Sequence, residues 1–138
     1  MRVYISGVFD LFHYGHMKLL NKCREQYPND TLIVGVHNDT DSTNYKRKPV
    51  LTHSERVKTI RESKLSDEVL ENAPLQETEQ FYKLNKIDII VHSHSLEDDE
   101  FYITNFYKYA SDNGMFRRLN YTNTISTTDL INRIKCKD

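Results

Sequence analysis

A chain of 138 residues with 38% hydrophobic and 28% charged residues has the size and balance of one globular domain around a single core, spanning 1–138. Its formal net charge of −1 excludes a broad electrostatic grip on nucleic acid. No apolar run approaches the ~20 residues that a membrane span or stable membrane anchor needs. Cys23 and Cys136 lack metal-like spacing and fit a reducing cytoplasm better than a disulfide framework.

In chain order, Met1 runs directly into a strand candidate at Val3 to Ser6, so no signal peptide is expected. Met17, Leu19, Leu20 and Cys23 recur at helical spacing between His16 and Gln26. Thr31 to His37 is a strand apolar on both faces, and the polar stretch from Asn38 to Val50 reads as a loop. Thr52 to Ser63 is predicted helical, with Thr52 and Glu55 forming a capping box. A short strand at Glu68 to Glu71 precedes Ala73-Pro74, a helix covers Glu77 to Asn85, and Ile87 to His92 is the next strand. One helix is predicted from Asp98 to Asn113 with Gly114 as its stop, then a strand at Met115 to Leu119. Ser126 or Thr127 caps a last helix running to Lys135. Apolar strands alternating with helices predict an α/β fold, Rossmann-like and doubly wound, with a parallel five-stranded sheet. In such a fold ligands bind beyond the carboxyl ends of the strands, where the strand order reverses.

The chemistry-bearing residues fall at those ends. Gly7 leaves the first strand without a Cβ, allowing a ligand near the backbone. His13 and His16, three apart at a helix start, share a face that Gly15 keeps open. A helix start favours an anion, and imidazole donors there can follow charge growing on a phosphoryl group, each worth roughly 3–4 kcal/mol in a transition state. Ser126, Thr127 and Thr128 form a second phosphate cradle or a plain N-cap. Lys46, Arg47 and Lys48 are a solvated face or a cationic clamp over a phosphate. The run from His92 to Asp99 fits no defined metal pattern, so no protein-held metal is expected; Mg²⁺ carried by substrate phosphates is.

On these residues the sequence resembles the cytidylyltransferases, most closely the phosphocholine and phosphoethanolamine group, over nearly the whole chain. The matching segments are Gly7 to His16, Leu32 to Asp39, Tyr45-Lys46 with Pro49 to Arg56, Ser66 to Val69 with Ala73-Pro74, and Gly114 to Phe116 with Ile125 to Ile131. The His-x-Gly-His element is shared with a wider superfamily that includes adenylyltransferases. The resemblance implies in-line attack of a phosphorylated small-molecule acceptor on the α-phosphate of CTP, with pyrophosphate leaving, in a homodimer. It implies that His13 and His16 stabilise the reacting phosphorus and Lys46 bridges nucleotide and acceptor. It places Gly7, Val8, Phe9, Gly15 and His92 beside the nucleotide, and Tyr121, Thr122, Ser126, Thr127 and Thr128 around its phosphates. The chain departs from the family pattern where Tyr121 replaces an arginine, Thr124 a glycine and Lys64 an arginine, with Arg117 or Arg118 as candidate substitutes for the first. Leu75 replaces an acceptor-pocket tryptophan, and Ser93-His94 replaces two aspartates, which argues against phosphocholine as acceptor. Two alternatives stay open: a nucleotide-binding protein with little catalysis, and an adenylyltransferase using ATP.

Overall fold

The computed structural model describes residues 1–121 and 123–137. Five strands, β1 (Arg2–Gly7), β2 (Thr31–Val36), β3 (Glu68–Leu70), β4 (Ile89–His94) and β5 (Phe116–Asn120), form one sheet in the order β3-β2-β1-β4-β5. Every adjacent pair is parallel, as the alternating pattern implies. The order reverses between β1 and β4, so the crevice expected to hold a ligand opens beyond Gly7 and His94.

Alternation along the strands sends side chains to two cores. Val3, Ile5, Val34 and Val91 meet Leu20 and Cys23 of α1 (Tyr14–Gln26) and Val57 and Ile60 of α3 (His53–Ser63). Tyr4, Ile33 and Ile90 meet Tyr82 of α4 (Glu79–Leu84) and Tyr107 and Ala110 on the other face.

Three local expectations change. The polar segment read as a loop contains the two-turn helix α2 (Asp39–Tyr45), capped by the Asn38 side chain, which accepts the Asp41 N–H at 2.7 Å. A helix made by capping carries no apolar period to detect. β4 runs to His94 rather than ending at His92, because β5 pairs along it as far as His94 opposite Asn120. The single helix expected at 98–113 is segmented: a 3₁₀ turn at Leu96–Asp98, α5 (Asp99–Tyr102), a π-turn at Ile103–Tyr107 and α6 (Lys108–Asp112). Gly114, at φ 69°, ends it. The last helix, α7 (Thr127–Lys135), takes Ser126 as its cap. Among the described residues no helix is long and apolar enough to cross a membrane.

Glu77 lies just ahead of α4, 8% exposed, and its Oε1 accepts the Tyr82 hydroxyl at 3.4 Å while Oε2 and the Tyr4 hydroxyl have no partner among the described residues. Burial pushes its carboxyl up to about 8 from 4.5 in the unfolded chain. The native state therefore binds the extra proton between those values, and stability present below 4.5 is lost as pH rises through about 8. Glu77→Leu is expected to stabilise by about 1–3 kcal/mol at pH 8.5 and by less at pH 5. Thermal melts giving equal gains at both pH values would refute the assignment.

Candidate functional site

A groove runs across the crevice in three connected compartments. The first lies between the starts of α1 and α7 and holds His13, His16, Lys18, Lys22, Tyr121 and Ser126. The second lies under the loop after α2, and the two share His16, Lys46 and Thr127. The third opens beyond β1 and β4, and it shares Val8 and Tyr45 with the second.

Local hydrogen bonds set the proton positions on the two histidines. His13 is the cap of α1, and its Nδ1 accepts the Gly15 N–H at 3.1 Å. The proton is thus on Nε2, 3.1 Å from Thr127 Oγ1, whose hydroxyl donates to the Asp10 carbonyl oxygen at 3.1 Å. His16 Nδ1 accepts the His13 N–H at 3.3 Å, which likewise leaves Nε2–H as its donor. The rings stack with centroids 3.8 Å apart. Burial lowers the pKa of His13, and burial with the neighbouring His13 pushes His16 down to about 3. Both rings are therefore neutral at pH 7, each with an N–H at the start of a helix whose dipole adds to the attraction for an anion.

Asp10, absent from the sequence-level candidates, holds the second compartment in shape. It is 4% exposed, and its two carboxylate oxygens accept the N–H groups of Val50 (2.7 Å) and Leu51 (2.9 Å). This ties the segment after Lys46 to the histidine loop, where Phe9 and Leu11 adopt φ of 55° and 57°. Arg56 is a second contributor that the sequence did not single out. Its buried guanidinium donates to the carbonyl oxygens of Leu51, Val8 and His37 and to Asp39 Oδ1 at 2.6 Å, joining three loops of the crevice. A lone arginine in an amphipathic helix gives no sequence signal for such a hub, and an acid inside a recognised motif is easily read as part of the turn.

Several expected roles shift. Gly15 lines the first compartment, and its missing side chain has a second use: an added Cβ would lie 2.5 Å from the Ile125 carbonyl oxygen, so the glycine admits the 124–125 backbone against α1. At Gly7 the corresponding space is taken by the Phe9 ring, 3.0 Å away. Thr124 is not among the residues at positive φ, so a glycine is not required there. Lys64 caps α3 at φ 57°, at the amino end of β3 and away from the groove. His92, expected beside the nucleotide, lines the third compartment with Gly7 and Val8, whereas Ser93 lines the first. The alternation of β4 explains this, since His92 follows Ile90 onto one face and Ser93 follows Val91 onto the other. Val8 and Phe9 line the second compartment, with Gly7 and Val8 in the third. Thr122 lies outside the described residues.

The arginine missing at Tyr121 is not replaced from β5. Arg117 donates to the Gly114 and Phe116 carbonyl oxygens, and Arg118 to the His94 carbonyl oxygen and Asn120 Oδ1. The cations at the groove are Lys18 and Lys22 on one face of α1, Lys46, and Arg47, whose guanidinium reaches Thr128 Oγ1 at 3.1 Å. The i, i+4 spacing of Lys18 and Lys22 after His-x-Gly-His was the available sequence signal.

The sheet order, the two helix starts and the histidine pair define a doubly wound α/β protein with a groove at its switch point lined by N–H donors and cations. The chain belongs to the cytidylyltransferase-like family, whose model matches residues 4–133. It is 41% identical over 138 residues to the choline-phosphate cytidylyltransferase of Saccharomyces cerevisiae, covering 97% of this chain and 31% of that protein. It is 36% identical over 137 residues to the ethanolamine-phosphate cytidylyltransferase of Dictyostelium discoideum, covering 97% and 36%. The chain thus spans about a third of the length of these curated relatives. Among solved structures, a lipopolysaccharide core biosynthesis protein from Thermoplasma volcanium superposes with a TM-score of 0.69 at 23% identity, covering 91% of this chain and 98% of that one, and shares the fold.

Proposed function

We propose that this chain is a cytidylyltransferase that moves CMP from CTP to a phosphorylated small alcohol and releases pyrophosphate. The observation that carries the reading is the junction where His16, Lys46 and Thr127 border both the first and second compartments. An α-phosphate seated there meets neutral N–H donors on one side and the Lys46 ammonium on the other. The β and γ phosphates extend toward Ser126, Thr127 and the cations of α1. The acceptor's phosphate oxygen attacks from the second compartment, opposite the leaving pyrophosphate. Preorganised donors of this kind lower the barrier because they are already aimed at the charge that develops.

The acceptor's head group fits the third compartment, whose walls are aromatic. Leu75 removes one aromatic face, but Tyr102, Phe106 and Tyr107 supply others from the π-turn and the turn before it, and Tyr45 reaches Phe106 from α2 with ring centroids 5.9 Å apart. That supports a cationic or hydroxylated head group and the choline- and ethanolamine-phosphate classes of the relatives' names. Mg²⁺ belongs to this reading as an ion riding on the nucleotide phosphates, where it would neutralise the charge passing to pyrophosphate. Asp10, the acidic residue lining the groove among those described, already has both oxygens engaged by backbone N–H groups. A homodimer is part of the reading on the strength of the family resemblance. A cytoplasmic location is supported by two free cysteines, Cys23 and Cys136.

The test is ³¹P NMR of the protein with Mg²⁺, each of the four nucleoside triphosphates and a panel of phosphorylated alcohols. Pyrophosphate and a CDP-linked product are expected with CTP. Absence of product across the panel would overturn the reading, and product from ATP alone would replace CTP.

A further inference from the structure

β4 ends in two histidines that the transfer step does not use as phosphate donors. His92 Nδ1 lies 2.8 Å from His94 Nδ1, and His94 Nε2 lies 2.6 Å from Asp99 Oδ1. We propose that Asp99, His94 and His92 form a relay presenting a hydrogen-bond acceptor, His92 Nε2, to the head group in the third compartment, so that the protein selects head groups bearing N–H or O–H over a fully methylated ammonium. The inference rests on the reading that this compartment seats the acceptor.

The relay starts at the Asp99 carboxylate. A carboxylate only accepts, so His94 carries its proton on Nε2 toward Asp99. A 2.8 Å contact between two ring nitrogens requires one proton between them. In the proposed relay His94 Nδ1 accepts and His92 Nδ1 donates, which leaves the lone pair of His92 on Nε2. Burial, followed by the neighbouring His94, pushes His92 down to about 4, so it takes up no proton at neutral pH.

The packing holds this state. The His94 side chain is 2% exposed, stacked between Tyr102 (4.7 Å) and Phe116 (6.0 Å), with its carbonyl oxygen fixed by Arg118. The His92 ring packs against Tyr102 at 4.5 Å and Tyr107 at 5.4 Å. Both tyrosines come from the 99–112 stretch, and Tyr107 closes the π-turn, a feature often found at binding sites. The titratable groups around the pair are Asp99, Tyr102 and Tyr107. Behind them lie Asp98 and Tyr45, which act on Tyr102, and Glu77, Tyr82 and Tyr4, which act on Tyr107. No carboxylate lines the third compartment among the described residues. His37 Nδ1, also on its wall, is engaged with the Ala73 carbonyl oxygen at 2.8 Å. A trimethylammonium group would therefore meet aromatic faces and uncharged groups without a carboxylate, while a group with a proton to donate gains a charge-assisted or neutral hydrogen bond to His92 Nε2.

Calorimetry and initial rates with the methylation series from phosphoethanolamine to phosphocholine test this, with CTP present and glycerol 3-phosphate as the hydroxyl arm. Binding and kcat/KM are expected to fall by at least about tenfold between the first and last members. His92→Phe should bring that ratio near one. His94→Phe, which keeps an aromatic ring beside Tyr102, should lower the ratio with KM for CTP unchanged. ¹⁵N NMR should find the proton of His92 on Nδ1 in the wild type. Equal or better use of phosphocholine, a ratio unchanged in His92→Phe, or binding of none of the compounds overturns the inference. Selective binding without turnover upholds it and counts against the transferase reading instead.

Discussion

Replacing His16 by alanine is expected to lower kcat by about 10²–10³-fold while changing nucleotide affinity by less than about tenfold. The reason is where its proton sits. Nδ1 is spent on the His13 N–H, so the ring contributes one donor, Nε2–H, at the junction of the first two compartments. In the proposed transfer that donor would face the phosphorus as charge moves outward on its oxygens, so its interaction would be stronger in the transition state than with bound CTP. A ring kept neutral by burial costs nothing to deprotonate before reaction and stays neutral down to about pH 3. The capping bond it makes is long, at 3.3 Å, so the lost helix support should be about 0.5–1 kcal/mol, too small to unfold the chain. Single-turnover rates with saturating CTP, beside a thermal melt, separate the two effects. A rate within threefold of wild type in a folded variant would remove His16 from the chemistry.

Arg56→Met is expected to destabilise the fold by roughly 3 kcal/mol or more. The guanidinium is 0% exposed and donates to three carbonyl oxygens and one carboxylate oxygen. Methionine fills much of the volume and leaves those acceptors without a donor and out of water, which is the costly half of a broken buried interaction. Asp39→Asn should cost far less, about 1 kcal/mol, because the Asp39 side chain is 49% exposed and water replaces the arginine. Urea unfolding of both variants provides the comparison. Equal losses would mean that the pair, and not the carbonyl oxygens, carries the energy. Because the same arginine holds Val8 and His37, nucleotide and acceptor binding should weaken in Arg56→Met even where the fold survives.

The contrast between these residues marks what could be read in the chain. His13 and His16 are visible because a helix start and two imidazoles three apart form a local pattern. Asp10 and Arg56 are not, because their partners lie 40 or more positions away at Val50 and Val8, or on the unrelated loop of Asp39. The helix α2 was hidden for a related reason, since it is polar throughout and held by its Asn38 cap and by the Asp39–Arg56 contact. Gly15 was legible as necessary, but its second use was not. The atom it avoids belongs to Ile125, brought against α1 by the end of the chain.

The sequence by itself determined the parallel α/β layering, the capped helix start at Thr52, a last helix start at Ser126 or Thr127, and the pairing of two imidazoles at a helix start in His-x-Gly-His. Those features follow from periodicity and short-range hydrogen bonding, which act within a few residues. Only the tertiary structure decided that His92 lines the aromatic compartment and Ser93 the first one, and that Lys18, Lys22 and Lys46 line that first compartment together with Tyr121. It also decided that Asp99 orders two histidines at the end of β4. Those outcomes depend on which strands pair, on the face each side chain takes when they do, and on the π-turn that aims Tyr107 inward. None of these is set by residues adjacent in the chain.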